Sequence, residues 1–266
     1  MRNKTIGVAS IATNNYLEFY FNLVTSFERN CPEFSEITFY IFTDRSDEAN
    51  AFAKKNGFFN LVVVKIPNHG WPEASLLRYE IFDTNREIFD TDVLVYLDSD
   101  MLILRNPIEH FRAANSRMTF IRHPGFYFEF SISFLQFVIK NPRKIFSMFL
   151  GFVKFGGIGA WETDKDSSAY VKRLNRKRYF CGGIWFARKS TFLNFCNLLS
   201  KKTIQAIRND SIPIWHDESY LNWFAAEEKH NELNPLFCSD EIVDSLFKDR
   251  PYVRAVNKQV YGFSER

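Results

Sequence analysis

The sequence predicts an α/β fold with a mostly parallel central sheet, and three observations carry that prediction. Stretches of strand character alternate with stretches of helical periodicity through the first half of the chain. This is the rhythm of βαβ units, whose strands run parallel beneath covering helices. One strand, DVLVYL at 92–97, is apolar almost throughout, as a strand buried on both faces must be. The composition, 46% hydrophobic against 24% charged over 266 residues, fills a core and excludes wholesale disorder.

Taken in order, residues 6–12 form a short apolar strand and 17–29 a helix. ITFYIFT at 37–43 is β-branched and aromatic and stops at Asp44-Arg45-Ser46. Ser46 or Asp47 is placed to cap a helix running to Lys55, with Gly57 just beyond its end. LVVVKI at 61–66 is the third strand, 73–89 a helix and 92–97 the fourth strand. The second half is less regular. Residues 118–122 read as a strand, and 179–188 (YFCGGIWFAR) as a strand interrupted by two glycines. Residues 190–208 read as a helix with Ser190 near its cap, and 217–229 as a shorter helix. No repeat, low-complexity linker or domain boundary is visible, so a single domain over 1–266 is expected.

Several function classes are disfavoured. A net charge of +3, from 34 basic and 31 acidic residues, is too small to argue for nucleic acid. Cys31, Cys181, Cys196 and Cys238 are far apart and lack metal-ligand spacing, so buried reduced thiols are expected rather than zinc or a disulfide framework. No apolar run reaches the ~18–20 residues of a transmembrane helix. The N-terminus reads as a first strand, not a signal peptide. The 30 phenylalanines imply either an unusually aromatic core or a greasy surface.

Four segments concentrate functional side chains. In VLVYLDSDMLIL at 93–104 a buried strand runs straight into Asp98-Ser99-Asp100. Ligands of open parallel sheets bind beyond the carboxyl ends of strands. Hard divalent cations take one or two carboxylates together with substrate phosphates. A metal–diphosphate site and a plain Asx-turn are both open readings. Trp215-His216-Asp217-Glu218-Ser219 stands at a helix start. Helix capping and first-turn acids account for Asp217 and Glu218 but not for Trp215 and His216, which suit ligand packing and hydrogen bonding to hydroxyls. His123-Pro124-Gly125-Phe126-Tyr127 follows a strand, and a lone histidine there is commonly structural. Cys181-Gly182-Gly183 permits close backbone approach or a β-bulge.

In this order the segments resemble family 6 glycosyltransferases, the group containing the histo-blood-group A and B transferases and the α-1,3-galactosyltransferase. The matching pieces are Ile11-Ala12-Thr13-Asn14-Asn15-Tyr16, Tyr40-Ile41-Phe42-Thr43-Asp44, Trp71 with SLLRYE at 75–80, Asp98-Ser99-Asp100, His123-Pro124 with Phe126-Tyr127, Tyr179-Phe180-Cys181-Gly182-Gly183 and WHDES at 215–219. WHDES is the most specific. The resemblance implies a GT-A (Rossmann-like) fold and a divalent metal, Mn²⁺ or Mg²⁺. It also implies transfer of galactose or N-acetylgalactosamine from UDP to a β-galactoside with retention. By position, Ile11, Ala12, Thr13 and Tyr16 would surround the uridine and Arg78 would contact the donor sugar. Asp98 and Asp100 would hold the metal, with Ser99 by the ribose. Cys181, Gly182 and Gly183 would line the donor pocket, and the small size of Cys181 and Gly183, the positions around the donor C2 substituent, leans the donor toward UDP-N-acetylgalactosamine over UDP-galactose. His123 and Trp215 would face the acceptor, and His216 would bridge toward the donor sugar. Asp217 would bind donor hydroxyls. Glu218, the catalytic residue, would sit beneath the anomeric carbon beside the acceptor. Lys258 in the basic tail would meet the diphosphate, with Arg254 and Arg266 as further candidates.

The same resemblance divides the chain into a nucleotide-binding half (1–105), an acceptor half (106–246) and a basic tail (247–266). Two departures stand out. No membrane anchor precedes the first strand, which implies a cytoplasmic enzyme of bacterial or viral type. Extra residues lie between Tyr127 and Trp161, within a phenylalanine-rich insertion at about 128–156 that reads either as a segment docking on an anionic membrane surface or as an ordinary helical hairpin packed on the core around Asn141-Pro142. On the first of these readings the acceptor is expected to be a lipid-linked glycan. Competing readings are another retaining hexosyltransferase of lipopolysaccharide synthesis, disfavoured by WHDES, and a sugar-1-phosphate nucleotidyltransferase, whose Gly-rich basic signature is missing. A carbohydrate-binding module using Trp71, Trp215 and Trp223 would leave the paired carboxylates unexplained.

Overall fold

A computed structural model describes residues 4–69, 73–127, 139, 142–240 and 249–256. Strands β1 (Ile6–Ile11), β2 (Ile37–Thr43), β3 (Leu61–Lys65) and β4 (Val93–Leu97) alternate with helices α1 (Tyr16–Asn30), α2 (Ser46–Asn56), α3 (Glu73–Leu76) and α4 (Arg78–Thr84). Then follow β5 (Met101–Ile103), α5 (Ile108–Arg112), β6 (Thr119–Arg122), α6 (Pro142–Phe155), β7 (Phe180–Arg188), α7 (Lys189–Arg208), α8 (His216–Glu227), β8 (Asn231–Leu233) and β9 (Val253–Ala255). Seven strands form one sheet in the order β3-β2-β1-β4-β7-β6-β8, and β5 pairs with β9 apart from it.

The α/β prediction is met. β3, β2, β1 and β4 are mutually parallel. β7 runs antiparallel to both β4 and β6, while β6 and β8 are parallel. Both faces of the sheet are covered. Val8, Phe39, Val95 and Leu97 pack with Leu23 and Phe27 of α1 on one side. Ala9, Tyr40, Leu94, Tyr96 and Trp185 pack with α4 and α7 on the other. This two-sided burial is why the strands read as continuous apolar runs. The chain goes from β1 to β2 on one side, whereas β4 lies on the other side of β1. The sheet's switch point therefore lies between β1 and β4, and a crevice opens beyond their carboxyl ends.

Gly57 closes α2 as expected, in the left-handed region at φ +70°, with its N–H donating to the carbonyls of Ala53 and Lys54. The helix expected over 73–89 is broken instead, into α3, α4 and a 3-10 turn at Arg86–Ile88. α7 starts at Lys189 after Arg188, and no side chain caps it, Ser190 included.

The glycine pair in β7 lies in an irregularity. β6 pairs Phe120 with Trp185 but Arg122 with Phe180, so two steps along β6 meet five along β7. The inside–outside alternation of β7 slips there. Ile184 and Phe186 share one core cluster and Trp185 and Ala187 the other, yet Cys181 joins the first and Phe180 the second. This is a bulge with backbone to spare, at the point where β7 passes the end of β4. Its geometry is held by Asn222 of α8. The Asn222 amide donates to the carbonyls of Phe180 (2.9 Å) and Glu218 (3.0 Å), and its Oδ1 accepts from the Phe180 N–H (2.8 Å). Asn222 is thus the rivet between β7 and the first turn of α8.

Among the described residues no helix is long and apolar enough to cross a membrane.

Candidate active site

The carboxyl end of β4 delivers Asp98, the bulge of β7 delivers Gly182 and Gly183, and the first turn of α8 delivers Asp217 and Glu218. These five residues line one cleft with a volume of about 420 Å³. Arg78, at the start of α4, lies on the same wall. His123, Phe126, Ala160 and Trp215 supply the more apolar part of the lining. The carboxylates at 98 and at 217–218 are far apart in sequence, and the fold brings them to one groove.

Arg78 is the hub. Its Nη1 pairs with Asp217 Oδ2 at 2.9 Å and also donates to the Gly182 carbonyl at 3.3 Å. Its Nη2 stands 3.5 Å from Asp98 Oδ1, and the guanidinium carbon lies 4.8 Å from the centre of the Tyr96 ring. Both sides of the Arg78–Asp217 pair are buried, with about a tenth of each side chain accessible. The Tyr96 hydroxyl donates to Asp98 Oδ1, and the Tyr79 hydroxyl donates to the Asp217 carbonyl at 3.0 Å. Glu218 Oε2 accepts the Gly182 N–H at 2.7 Å. Asp217 is therefore not a helix cap. It is the buried acid that partners Arg78, while α8 begins after Trp215 with no side-chain cap.

Burial pushes the Asp217 carboxyl up to about 7, against the opposing pull of Arg78. Removal from water likewise raises Glu218 to about 7, although the Gly182 N–H pulls the other way. Burial pulls Arg78 down, but Asp217, Tyr96 and Asp98 outweigh it and hold the guanidinium above its ordinary value. His123 is lowered to about 4 by burial, so its imidazole is neutral at physiological pH, and its Nδ1 accepts the Gly125 N–H at 3.0 Å. His216 is also lowered by burial.

The remaining sequence-predicted residues lie elsewhere. Ile11, Ala12 and Thr13 lie at the end of β1, and Tyr16 opens α1. They sit on the β1 side of the switch point, next to β4 but off the cleft wall just described. Ser99 and Asp100 form the buried turn after Asp98, where the Asp100 carbonyl accepts the Val256 N–H at 2.8 Å. His216 is partly buried, has a left-handed φ of +49°, and is off the wall. Cys181 departs from expectation. It packs in the core, where the Cys238 thiol hydrogen-bonds to it, and does not line the cleft. The bulge explains this, because two residues at strand spacing share a face only while the alternation is regular. Trp71, Lys258 and Arg266 lie outside the described residues. Arg254 lies in β9, paired with Leu102 of β5.

Sequence reasoning missed Glu162. This buried carboxylate accepts the Ile214 N–H at 2.9 Å through Oε2 and the Asp164 N–H at 2.9 Å through Oε1, and so pins the turn leading into Trp215. It also missed Tyr79, Tyr96 and Asn222. An Asn at i+4 from Glu218 inside a helix was the available signal, since such a side chain needs a partner beyond its own helix.

A Cβ on Gly183 would come within 2.9 Å of Asp98 Oδ2 and 2.5 Å of Met101 Cε. The glycine therefore keeps that carboxylate oxygen uncovered. Among the described residues no three His, Cys, Asp or Glu side chains cluster as a closed metal site. Of the two carboxylates the sequence offers, Asp98 lines the groove and Asp100 lies buried in the turn that follows, so a cation here would complete its shell with oxygens from a substrate. That pattern fits Mg²⁺ or Mn²⁺ on a diphosphate.

No family model matches the chain. It is 24% identical over 237 residues to the O-antigen biosynthesis glycosyltransferase WbnI of Escherichia coli, covering 89% of this chain and 88% of that one. It is 24% identical over 262 residues to the histo-blood group ABO system transferases 1 and 2 of Rattus norvegicus, covering 95% of this chain and 67% and 70% of theirs. The chain resembles the histo-blood-group transferases. The resemblance extends to the fold, a GT-A, Rossmann-like α/β sheet.

The raised carboxyls set the pH dependence of stability. Protons held by Asp217 and Glu218 in the folded protein are released by the unfolded chain in the ordinary carboxylate range. Their contribution is therefore complete below that range and is lost as pH rises to about 7. In chelator-containing buffer, the urea midpoint of Glu218→Gln is expected to fall less steeply than that of the parent between about pH 5 and pH 7. Parallel profiles would show that Glu218 does not hold a proton in the folded state.

Proposed function

We propose that this protein is a metal-dependent retaining glycosyltransferase acting in bacterial surface glycan synthesis. It moves α-linked N-acetylgalactosamine or galactose from the UDP-sugar to the 3-hydroxyl of a β-galactoside. The observation that carries the reading is the convergence of Asp98, Asp217 and Glu218 around Arg78 in one cleft beyond the carboxyl end of β4. The similarity to O-antigen and histo-blood-group glycosyltransferases supports the same reaction class.

In this reading the uridine lies along Ile11, Ala12, Thr13 and Tyr16, with the ribose by Ser99. Asp98 and Asp100 hold a divalent cation, which supplies positive charge to the departing diphosphate. Lys258 adds a second positive charge. Asp217, fixed by Arg78, accepts hydrogen bonds from donor hydroxyls, and His216 bridges toward the same sugar. Glu218, oriented by the Gly182 N–H, presents its carboxylate to the positive charge that develops at the anomeric carbon. Trp215, with 48% of its surface exposed, offers an apolar face to the acceptor galactose, and His123 borders it.

N-acetylgalactosamine is the expected donor sugar, a reading supported by the small residues at 182 and 183. A Cβ at Gly182 would meet Asp217 Oδ2 and Glu218 Oε2 at 3.3 Å, so the glycine leaves room beside the sugar-binding acids. Cys181, packed in the core, has no part in that room.

The test is an array of β-galactoside acceptors offered with UDP-N-acetylgalactosamine or UDP-galactose and read by mass spectrometry and UDP release. One α-linked sugar is expected on the acceptor, with the N-acetylated donor preferred. UDP release that no acceptor stimulates would defeat the proposal, and a strong preference for UDP-galactose would overturn the donor assignment. Excess EDTA is expected to abolish transfer and Mn²⁺ to restore it; full activity in EDTA would count against Asp98 and Asp100 as metal ligands. Glu218→Gln is expected to lower kcat by about 10²–10³-fold while calorimetry still detects UDP binding. Near-normal turnover would remove Glu218 from the mechanism.

A further inference from the structure

Helix α6 carries an apolar stripe that faces water. Phe146, Leu150 and Val153 are 62%, 51% and 63% exposed. Their spacing of i, i+4 and i+7 sets them along one side of the helix. Arg143 and Lys154, near its two ends, are exposed as well. From residue 131 to residue 161 the sequence has Lys140, Arg143, Lys144 and Lys154 and no Asp or Glu.

The C-terminal end of this helix is fixed beside the cleft. Arg176 Nη1 donates to the Phe155 carbonyl at 2.6 Å. Phe155 packs against a cluster of Ala160, Trp161, Val171 and Tyr179, which Phe126 also joins. Phe126 and Ala160 belong to the apolar part of the cleft wall. One aromatic cluster therefore supports both the base of the exposed stripe and the apolar wall beside His123 and Trp215.

We infer that α6 lies in the plane of an anionic lipid bilayer, with Phe146, Leu150 and Val153 in the acyl boundary and Arg143 and Lys154 among the headgroups. Charge selects this occupant. A second copy of the helix, or any basic protein face, would bring like charges together across the apolar stripe, whereas anionic headgroups complement them. Given the transfer proposed above, docking through α6 holds the acceptor side of the cleft near the membrane and assigns the acceptor to lipid-linked glycans.

Vesicle flotation of the full chain tests the docking without requiring turnover. The protein is expected to float with vesicles of phosphatidylcholine and phosphatidylglycerol, to stay behind with phosphatidylcholine alone, and to be released by salt. The variant F146S/L150S/V153S alters only exposed positions. It is expected to partition at least about tenfold more weakly while transferring sugar to a water-soluble acceptor as the parent does. Absence of flotation with anionic vesicles, or undiminished flotation of the triple variant, overturns the inference. So does a parent chain that elutes as a dimer, ignores vesicles and becomes monomeric in the triple variant, because the stripe is then a contact between copies. Flotation without any sugar transfer leaves the docking standing and removes the transferase reading alone.

Discussion

The site depends on one buried cation. Arg78 joins the end of β4 through Asp98, the bulge of β7 through the Gly182 carbonyl, and the first turn of α8 through Asp217. Taking a guanidinium and a carboxylate out of water is costly, and their attraction offsets the cost only while both are present and hydrogen-bonded. Removing either partner would strand the other. The charges also do not balance. Asp98, Asp217 and Glu218 face a single arginine, and burial raises the two acids of α8 to about 7. Burial therefore favours the protonated forms of these two acids over further unpaired charge. On the proposed reading, Asp98 and Asp100 would hold a divalent cation, whose charge would offset theirs and favour the ionised acids.

The sheet explains why the groove is where it is. Parallel β1 and β4 end side by side at the switch point, so no strand connection covers the space beyond them. β7 then approaches antiparallel to β4, and the Asp98 N–H bonds to the Gly183 carbonyl at 2.8 Å. A regular strand with side chains at 182 and 183 would press on Asp98 from one position and on Asp217 and Glu218 from the other. Two glycines in a bulge let the backbone run between the acids and offer one of them, Glu218, an N–H donor.

Much of this was legible in the sequence, for a physical reason. Strands covered on both faces, such as β2 and β4, must be apolar throughout, and such runs are read directly. The acids at 98, 217 and 218 were legible as motifs because they interrupt apolar segments. What the sequence hid is non-local. β5, β8 and β9 are three residues long and exist only through their partners. The register slip in β7 depends on β6, so no local pattern foretells that Cys181 turns into the core while Gly183 faces the cleft. The break between α3 and α4 is a tertiary effect of the same kind: it sets Arg78 at a helix start, from which it reaches both acids.

The unusual aromatic content belongs to the same account. The choice between an aromatic core and a greasy surface was a false alternative, since Phe82 and Phe89 are fully buried while Phe146 is exposed. The core rings also do more than fill volume. Trp185 stacks on Tyr96 at 4.9 Å and on Phe192 at 4.6 Å, and Phe195 and Phe82 close the cluster at 5.1 and 6.3 Å. Tyr79, 5.9 Å from Trp185, belongs to the same group. Tyr96 and Tyr79 are thus clamped as apolar rings below while their hydroxyls emerge at Asp98 and at the backbone of Asp217. A tyrosine has few torsions to lose and one polar atom at its tip. Two of them, locked in a ring cluster, fix the height of the acids more rigidly than flexible side chains of equal length would. The aromatic excess on this face of the sheet is therefore a foundation for the site as well as packing material.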